Sequence, residues 1–184
     1  MTPAAPDPRA EVERCDGCGS DLPAEHEHLV EADGRALRCA CAACAVTPAA
    51  PWKRVRPRVT RLPALRLTDV MWSGLGVPIG LAFFVRRAGG VLAFYPSPAG
   101  VIESPVAPEA WAAVVSDNPD LDDLEADTET LLVNRLAGAR EHYRVSVDHG
   151  YRLAGLVRLH WRGLGGGPAL ATALRRFFEE LNRG

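Results

Sequence analysis

Three runs between residues 15 and 44 decide how this chain folds. Cys15-Asp16-Gly17-Cys18-Gly19 opens the stretch, Glu25-His26-Glu27-His28-Leu29-Val30-Glu31 leads to Asp33-Gly34, and Arg38-Cys39-Ala40-Cys41-Ala42-Ala43-Cys44 closes it. A Cys-x2-Cys turn points two thiolates at one centre, and two such turns complete a tetrahedron. Between them the residues alternate, and Asp33-Gly34 is a favoured two-residue hairpin turn. Knuckle, hairpin, knuckle predicts a small metal ribbon with Cys15, Cys18, Cys41 and Cys44 as ligands.

Centring the turn on Asp33-Gly34 sets the register. Ala32 then faces Arg35, His28 faces Cys39, and His26 faces Cys41. Alternate residues of a strand share a face, so His26, His28, Cys39 and Cys41 lie together with Val30 and Leu37. Glu27, Leu29, Glu31 and Arg38 fall on the other face, expected to be solvated. Cys39, His26 and His28 are surplus to a four-thiolate site. They read as a free thiol with two half-exposed imidazoles, as exchangeable ligands of the same ion, or as a second site of thiolate and imidazole donors.

The plan resembles a zinc ribbon or a rubredoxin. Zinc in a closed tetrathiolate shell has no open position and no redox cycle, so it implies a structural staple. The alternative is iron, alone or in an Fe–S cluster, with an electron-transfer role. Rubredoxins carry Gly after the last Cys of each knuckle; here Ala45 stands after the second, which shifts weight toward zinc.

Outward from the ribbon, charge marks the boundaries. The 184 residues have a net charge of −2, 47% hydrophobic and 24% charged residues, values of an ordinary globular chain. Residues 51–68 carry Lys53, Arg54, Arg56, Arg58, Arg61 and Arg66 without an acid, and Pro51, Pro57 and Pro63 discourage helix there. The expected organisation is a flexible start over 1–13, the ribbon over 14–47, a basic linker over 48–67, and a larger domain over 68–184. No apolar run reaches the roughly 18 residues of a membrane span. Met1 to Pro8 lacks the basic start and apolar core of a secretion signal, so a cytoplasmic location is expected. In that reducing setting five Cys read as metal ligands rather than disulfides.

The larger domain reads as α+β. Thr68 caps a short helix through Trp72 that stops at Gly74 and Gly76. Ile79–Arg86 and Val91–Tyr95 form a hairpin, Val101–Glu103 a third strand, and Pro108 starts a helix running to Asn118. Leu131–Leu136 and Tyr143–Val147 pair, and helices over 149–161 and 168–182 close the chain. Consecutive hairpins predict an antiparallel sheet with helices packed on one side.

Two further surfaces stand out. Between Arg87 and Arg135 every charge is acidic, so Asp117 to Glu129 could hold the basic linker or attract a basic partner. On the first C-terminal helix Tyr151, Gly155, Arg158 and Arg162 share a face suited to a carboxylate, phosphate or partner protein. His160 falls with Leu153, Leu156 and Val157 and reads as a core histidine. Trp52 within the basic linker admits a nucleic-acid reading, which the near-neutral chain disfavours. No Ser/His/Asp elbow, His-Glu-x-x-His or nucleotide fingerprint appears, so an enzyme is not indicated.

The Cys pattern, Leu75-Gly76-Val77-Pro78-Ile79-Gly80, Phe94-Tyr95-Pro96-Ser97-Pro98 and Tyr151-Arg152-Leu153 through Trp161-Arg162-Gly163 together resemble one family. It is a domain-of-unknown-function family, largely actinobacterial and typically encoded beside uptake nickel–iron hydrogenase subunits and maturation factors. The resemblance spans roughly residues 14–183. It implies a non-enzymatic accessory or maturation role, with a hydrogenase subunit or maturation factor as partner.

Overall fold

A computed structural model of the chain describes residues 12–32, 36–97, 100–161 and 167–183. Most of the expected flexible start, the Asp33-Gly34 turn, Arg162 and the glycine run up to 166 lie outside the described residues. The chain divides into two compact units, with the break between Arg54 and Val55.

In the first unit, β1 (Glu27–Glu31) and β2 (Leu37–Ala40) pair antiparallel, with His28 opposite Cys39 and Val30 opposite Leu37. That is the register the alternation predicts. The helix α1 (Ala42–Val46) follows, and β3 (Trp52–Val55) completes a sheet of order β2-β1-β3. Leu29, expected on a solvated face, is 8% exposed. It joins Cys15, Leu22, Ala40 and Ala45 in a small core that Trp52 flanks. The first loop and α1 cover that side, a coverage that strand periodicity alone does not reveal. Above it the Arg38 guanidinium stacks 4.0 Å from the Trp52 ring centroid.

Residues 48–67, expected to be a linker, contribute to both units. Trp52–Val55 lies in the ribbon sheet, and β4 (Val59–Arg61) forms an edge of the second sheet. Prolines flank these strands rather than interrupting them, which keeps each strand's backbone donors available.

The second unit contains β4, α2 (Asp69–Gly74), β5 (Leu81–Arg87), β6 (Gly90–Ser97), β7 (Gly100–Pro105), α3 (Pro108–Asp117), β8 (Glu129–Asn134), β9 (Glu141–Ser146), α4 (Val147–His160) and α5 (Gly167–Leu181). Its sheet has the order β4-β9-β8-β5-β6-β7 and its pairs are antiparallel. Local signals place these elements where the sequence does. The Thr68 hydroxyl accepts the Met71 N–H at 3.2 Å, and Pro108 opens α3.

The expectation of helices on one side of the sheet is wrong. The ring of Phe84 on β5 meets Trp72 of α2 and Trp111 of α3, at centroid distances of 6.0 and 5.9 Å. Phe83, one residue earlier, stacks on Phe94 and meets Tyr151 of α4 at 6.3 Å. Neighbouring residues of a strand point to opposite faces, so both faces are covered. The run Leu81–Val85 is buried without interruption, as a strand between two helical layers must be.

The acidic segment between α3 and β8 is anchored by arginines of the sheet. Arg144 on β9 donates to the Glu129 carboxylate, the Asp123 carboxylate and the Asp123 carbonyl. Arg58 reaches the other Glu129 oxygen at 2.6 Å, Arg86 donates to the Asp122 and Leu124 carbonyls, and Arg87 pairs with Asp127. One basic residue of the expected linker is therefore matched by the acidic segment within the second unit.

Candidate metal centre

Four of the five cysteines converge. The Sγ atoms of Cys15, Cys18, Cys41 and Cys44 all lie within 4.8 Å of one another. Different local structures deliver the two pairs. Cys15 to Gly19 is a tight turn closed by the Gly19 N–H to the Cys15 carbonyl at 2.8 Å, and Gly19 takes φ +74°. That left-handed conformation suits glycine. A Cβ at Gly17 would sit 3.1 Å from Cys44 Sγ, a tight approach that would press on the cluster by a few tenths of an ångström.

The second pair is not a knuckle, a correction to the expected two. Cys41 is the N-cap of α1 and Cys44 lies in its first turn, with the Ala45 N–H bonded to the Cys41 carbonyl at 3.0 Å. Ala45 lacks the freedom of the glycine that closes a knuckle. Alanines at 42, 43 and 45 are strong helix formers, so this turn continues as helix instead.

The spacing suits a tetrahedral ion. Metal–thiolate bonds of about 2.3 Å give sulfur–sulfur edges of about 3.8 Å. Cys18 Sγ and Cys41 Sγ are 3.8 Å apart. Without a cation the thiols compete for protons. The Cys41 amide, 3.3 Å from Cys15 Sγ, pulls the Cys15 thiol down to about 6. The thiols of Cys41, Cys15 and Cys18 push that of Cys44 up to about 12. A central cation removes this conflict by stabilising all the thiolates together. The four cysteines could therefore bind a metal ion, and their geometry suits zinc and iron alike.

The surplus donors form a group of their own. One ring nitrogen each of His26 and His28 and the Sγ of Cys39 lie within 4.8 Å of one another. The two imidazoles meet edge to face at a centroid distance of 4.8 Å. Burial raises the Cys39 thiol above its usual value, aided by the charges of Glu13 and Asp16. Asp16, which motif reading passed over, ties the regions together. Its carboxylate accepts the Cys39 N–H at 2.8 Å, and its own N–H donates to the Cys39 carbonyl at 2.9 Å. An acid inside a Cys-x2-Cys turn is the available sequence signal for that role.

The face expected to carry Tyr151, Arg158 and Arg162 is divided. Arg158 lines an open groove of about 540 Å³ with Gly155, Trp161 and Val101. Tyr151 is half-buried with its ring against Phe83, apart from that groove's lining, and Arg162 lies outside the described residues. His160 is not a core histidine. It is half-buried and lines a second groove with Arg152, Arg176 and Phe177.

A family model described as a family of unknown function, DUF5947, matches residues 14–184. Comparison with curated proteins and with solved structures gives no match.

Proposed function

The chain belongs to the DUF5947 family of unknown function, and from that premise we propose a non-enzymatic accessory protein with a structural zinc in its ribbon and a protein-binding role. The observation that carries this reading is the tetrathiolate cluster itself. Four sulfurs within 4.8 Å of one another can fill a tetrahedral ion's coordination shell, which suits a staple better than a reaction centre. The need for a staple is physical, because the apolar cluster beside the thiols is small among the described residues, built of Cys15, Leu22, Leu29, Ala40 and Ala45. At that size a metal commonly substitutes for apolar burial.

The partner in this proposal is a nickel–iron hydrogenase subunit or maturation factor, met in the cytoplasm. This part rests on the family resemblance of the quoted motifs. Among the described residues no helix is long and apolar enough to cross a membrane.

Elemental analysis of protein purified without added metal tests the ion. One zinc at the tetrathiolate site and no visible absorption supports a staple, whereas iron with a charge-transfer spectrum supports the electron-transfer alternative and overturns it. Affinity capture from a native actinobacterial host tests the partner. Recovery of hydrogenase subunits or maturation factors supports the assignment. Their absence, or capture of nucleic acid with salt-sensitive affinity, overturns it.

A further inference from the structure

We propose that His26, His28 and Cys39 form a second metal site, separate from the tetrathiolate cluster and open at its fourth position. Its three donors fall within 4.8 Å of one another, and they share no residue with the four-cysteine group.

The state of His26 carries the argument. Its Nδ1 lies 3.0 Å from the Pro23 carbonyl oxygen, with the Glu13 carboxylate 3.6 Å away. A carbonyl only accepts, so Nδ1 must carry the proton, and in the neutral ring the lone pair then resides on Nε2. The side chain is 5% exposed, and Nε2 is buried without a hydrogen-bond partner. A buried acceptor left unpaired is costly, and a cation would relieve that cost. An imidazole that donates through one nitrogen to a carbonyl and offers the other is the arrangement of a metal-bound histidine, with the outer bond fixing tautomer and orientation.

The other donors are held in place by backbone. His28 and Cys39 are directly paired across the hairpin, and two hydrogen bonds to Asp16 fix the Cys39 main chain. Cys39 and Cys41 occupy alternate positions, but Cys41 caps α1 and belongs to the other cluster. Two imidazoles and one thiolate suit a borderline-soft divalent ion of the zinc class. Three protein ligands leave one position for water or an exchangeable donor.

The test is a cobalt(II) titration of the reduced, metal-free full chain, followed by visible absorption. The expected result is saturation at two equivalents, one with an intense multi-thiolate charge-transfer band and one with a weaker single-thiolate band. Cys39→Ala and His28→Ala should each saturate at one equivalent and keep the multi-thiolate band. Saturation of the parent chain at one equivalent with only the multi-thiolate band overturns the proposal, as does binding of two equivalents by both variants. Loss of only the multi-thiolate band in the parent chain counts against the tetrathiolate site and leaves this one standing. A measurement without substitution is the nitrogen NMR of the histidines during zinc addition. The second equivalent should shift His26 Nε2 while Nδ1 stays protonated. An unchanged His26 resonance at saturation overturns the proposal.

Discussion

The sulfur of Cys18, in a loop before the first strand, stands 3.8 Å from that of Cys41, at the start of a helix after the hairpin. The hairpin between them brings its two ends together, and the ligands thus close the ribbon on itself. A metal bound at this point would join the loop, the hairpin and the helix that the small cluster of Cys15, Leu22, Leu29, Ala40 and Ala45 also packs together.

Replacing Cys15, Cys18, Cys41 or Cys44 by Ser should therefore release the tetrathiolate metal and unfold the ribbon. Removing one ligand leaves three thiolates and forfeits binding energy that is also folding energy. The second unit has its own core of buried residues and should keep its melting transition. Metal analysis with calorimetry checks both halves. Cys39→Ser should leave the tetrathiolate ion in place, and its loss in that variant would show that Cys39 ligates it.

Gly19→Ala should weaken metal retention although it removes no ligand. At φ +74° an alanine pays roughly 1–2 kcal/mol of backbone strain, and the first knuckle would have to distort. Competition with a chelator should show faster or more complete metal loss. Equal retention would mean that the turn does not need its glycine.

Two glycines of α4 should respond to alanine with opposite signs. A Cβ on Gly150 would come within 2.7 Å of the Phe83 ring, which is itself stacked on Phe94 and has nowhere to move. Overpacking of that kind costs about 1–3 kcal/mol, more than the helix gains from alanine. Gly155 has nothing within 4 Å of a Cβ, so Gly155→Ala should stabilise by about 0.5–1 kcal/mol. Denaturant midpoints of the two variants decide the matter.

Glu129 should make the second unit acid-sensitive. Burial alone would raise its carboxyl, but the Arg144 guanidinium, the Glu125 N–H and Arg58 outweigh it and hold the group below its ordinary value. A carboxyl lowered in the folded state binds fewer protons there than in the unfolded chain, so stability rises with pH. That contribution is complete above the unfolded value near 4.3 and disappears as pH falls through the folded one. Glu129→Gln should flatten the pH dependence of unfolding in acid. Arg144→Ala leaves Glu129 with Arg58 and the Glu125 N–H, so at neutral pH it should cost less than the roughly 3–5 kcal/mol of an unpaired buried charge. An unchanged acid limb in Glu129→Gln would contradict the assignment.

What the sequence alone determined is what short-range chemistry dictates. Cys-x2-Cys spacing marked the converging thiols, and Asp33-Gly34 between alternating residues set His28 opposite Cys39. Thr68 and Pro108 marked two helix starts, because caps and fixed φ angles act within a few residues. Tertiary structure decided whatever depends on what arrives from far along the chain. A second helical layer covers the Ala82 and Phe84 face, although an uninterrupted apolar strand already hinted at two-sided burial. Arg144 finds Glu129 and Asp123 across the fold, turning an apparently free acidic run into an anchored segment. Cys41 and Cys44 sit on a helical turn because Ala45 replaces the glycine of a knuckle. His26 looks like any hairpin histidine until the Pro23 carbonyl accepts a hydrogen bond from its Nδ1 and burial isolates its Nε2. Spacing along a chain sets which donors are close, but a donor's tautomer and burial depend on atoms that only folding brings to it.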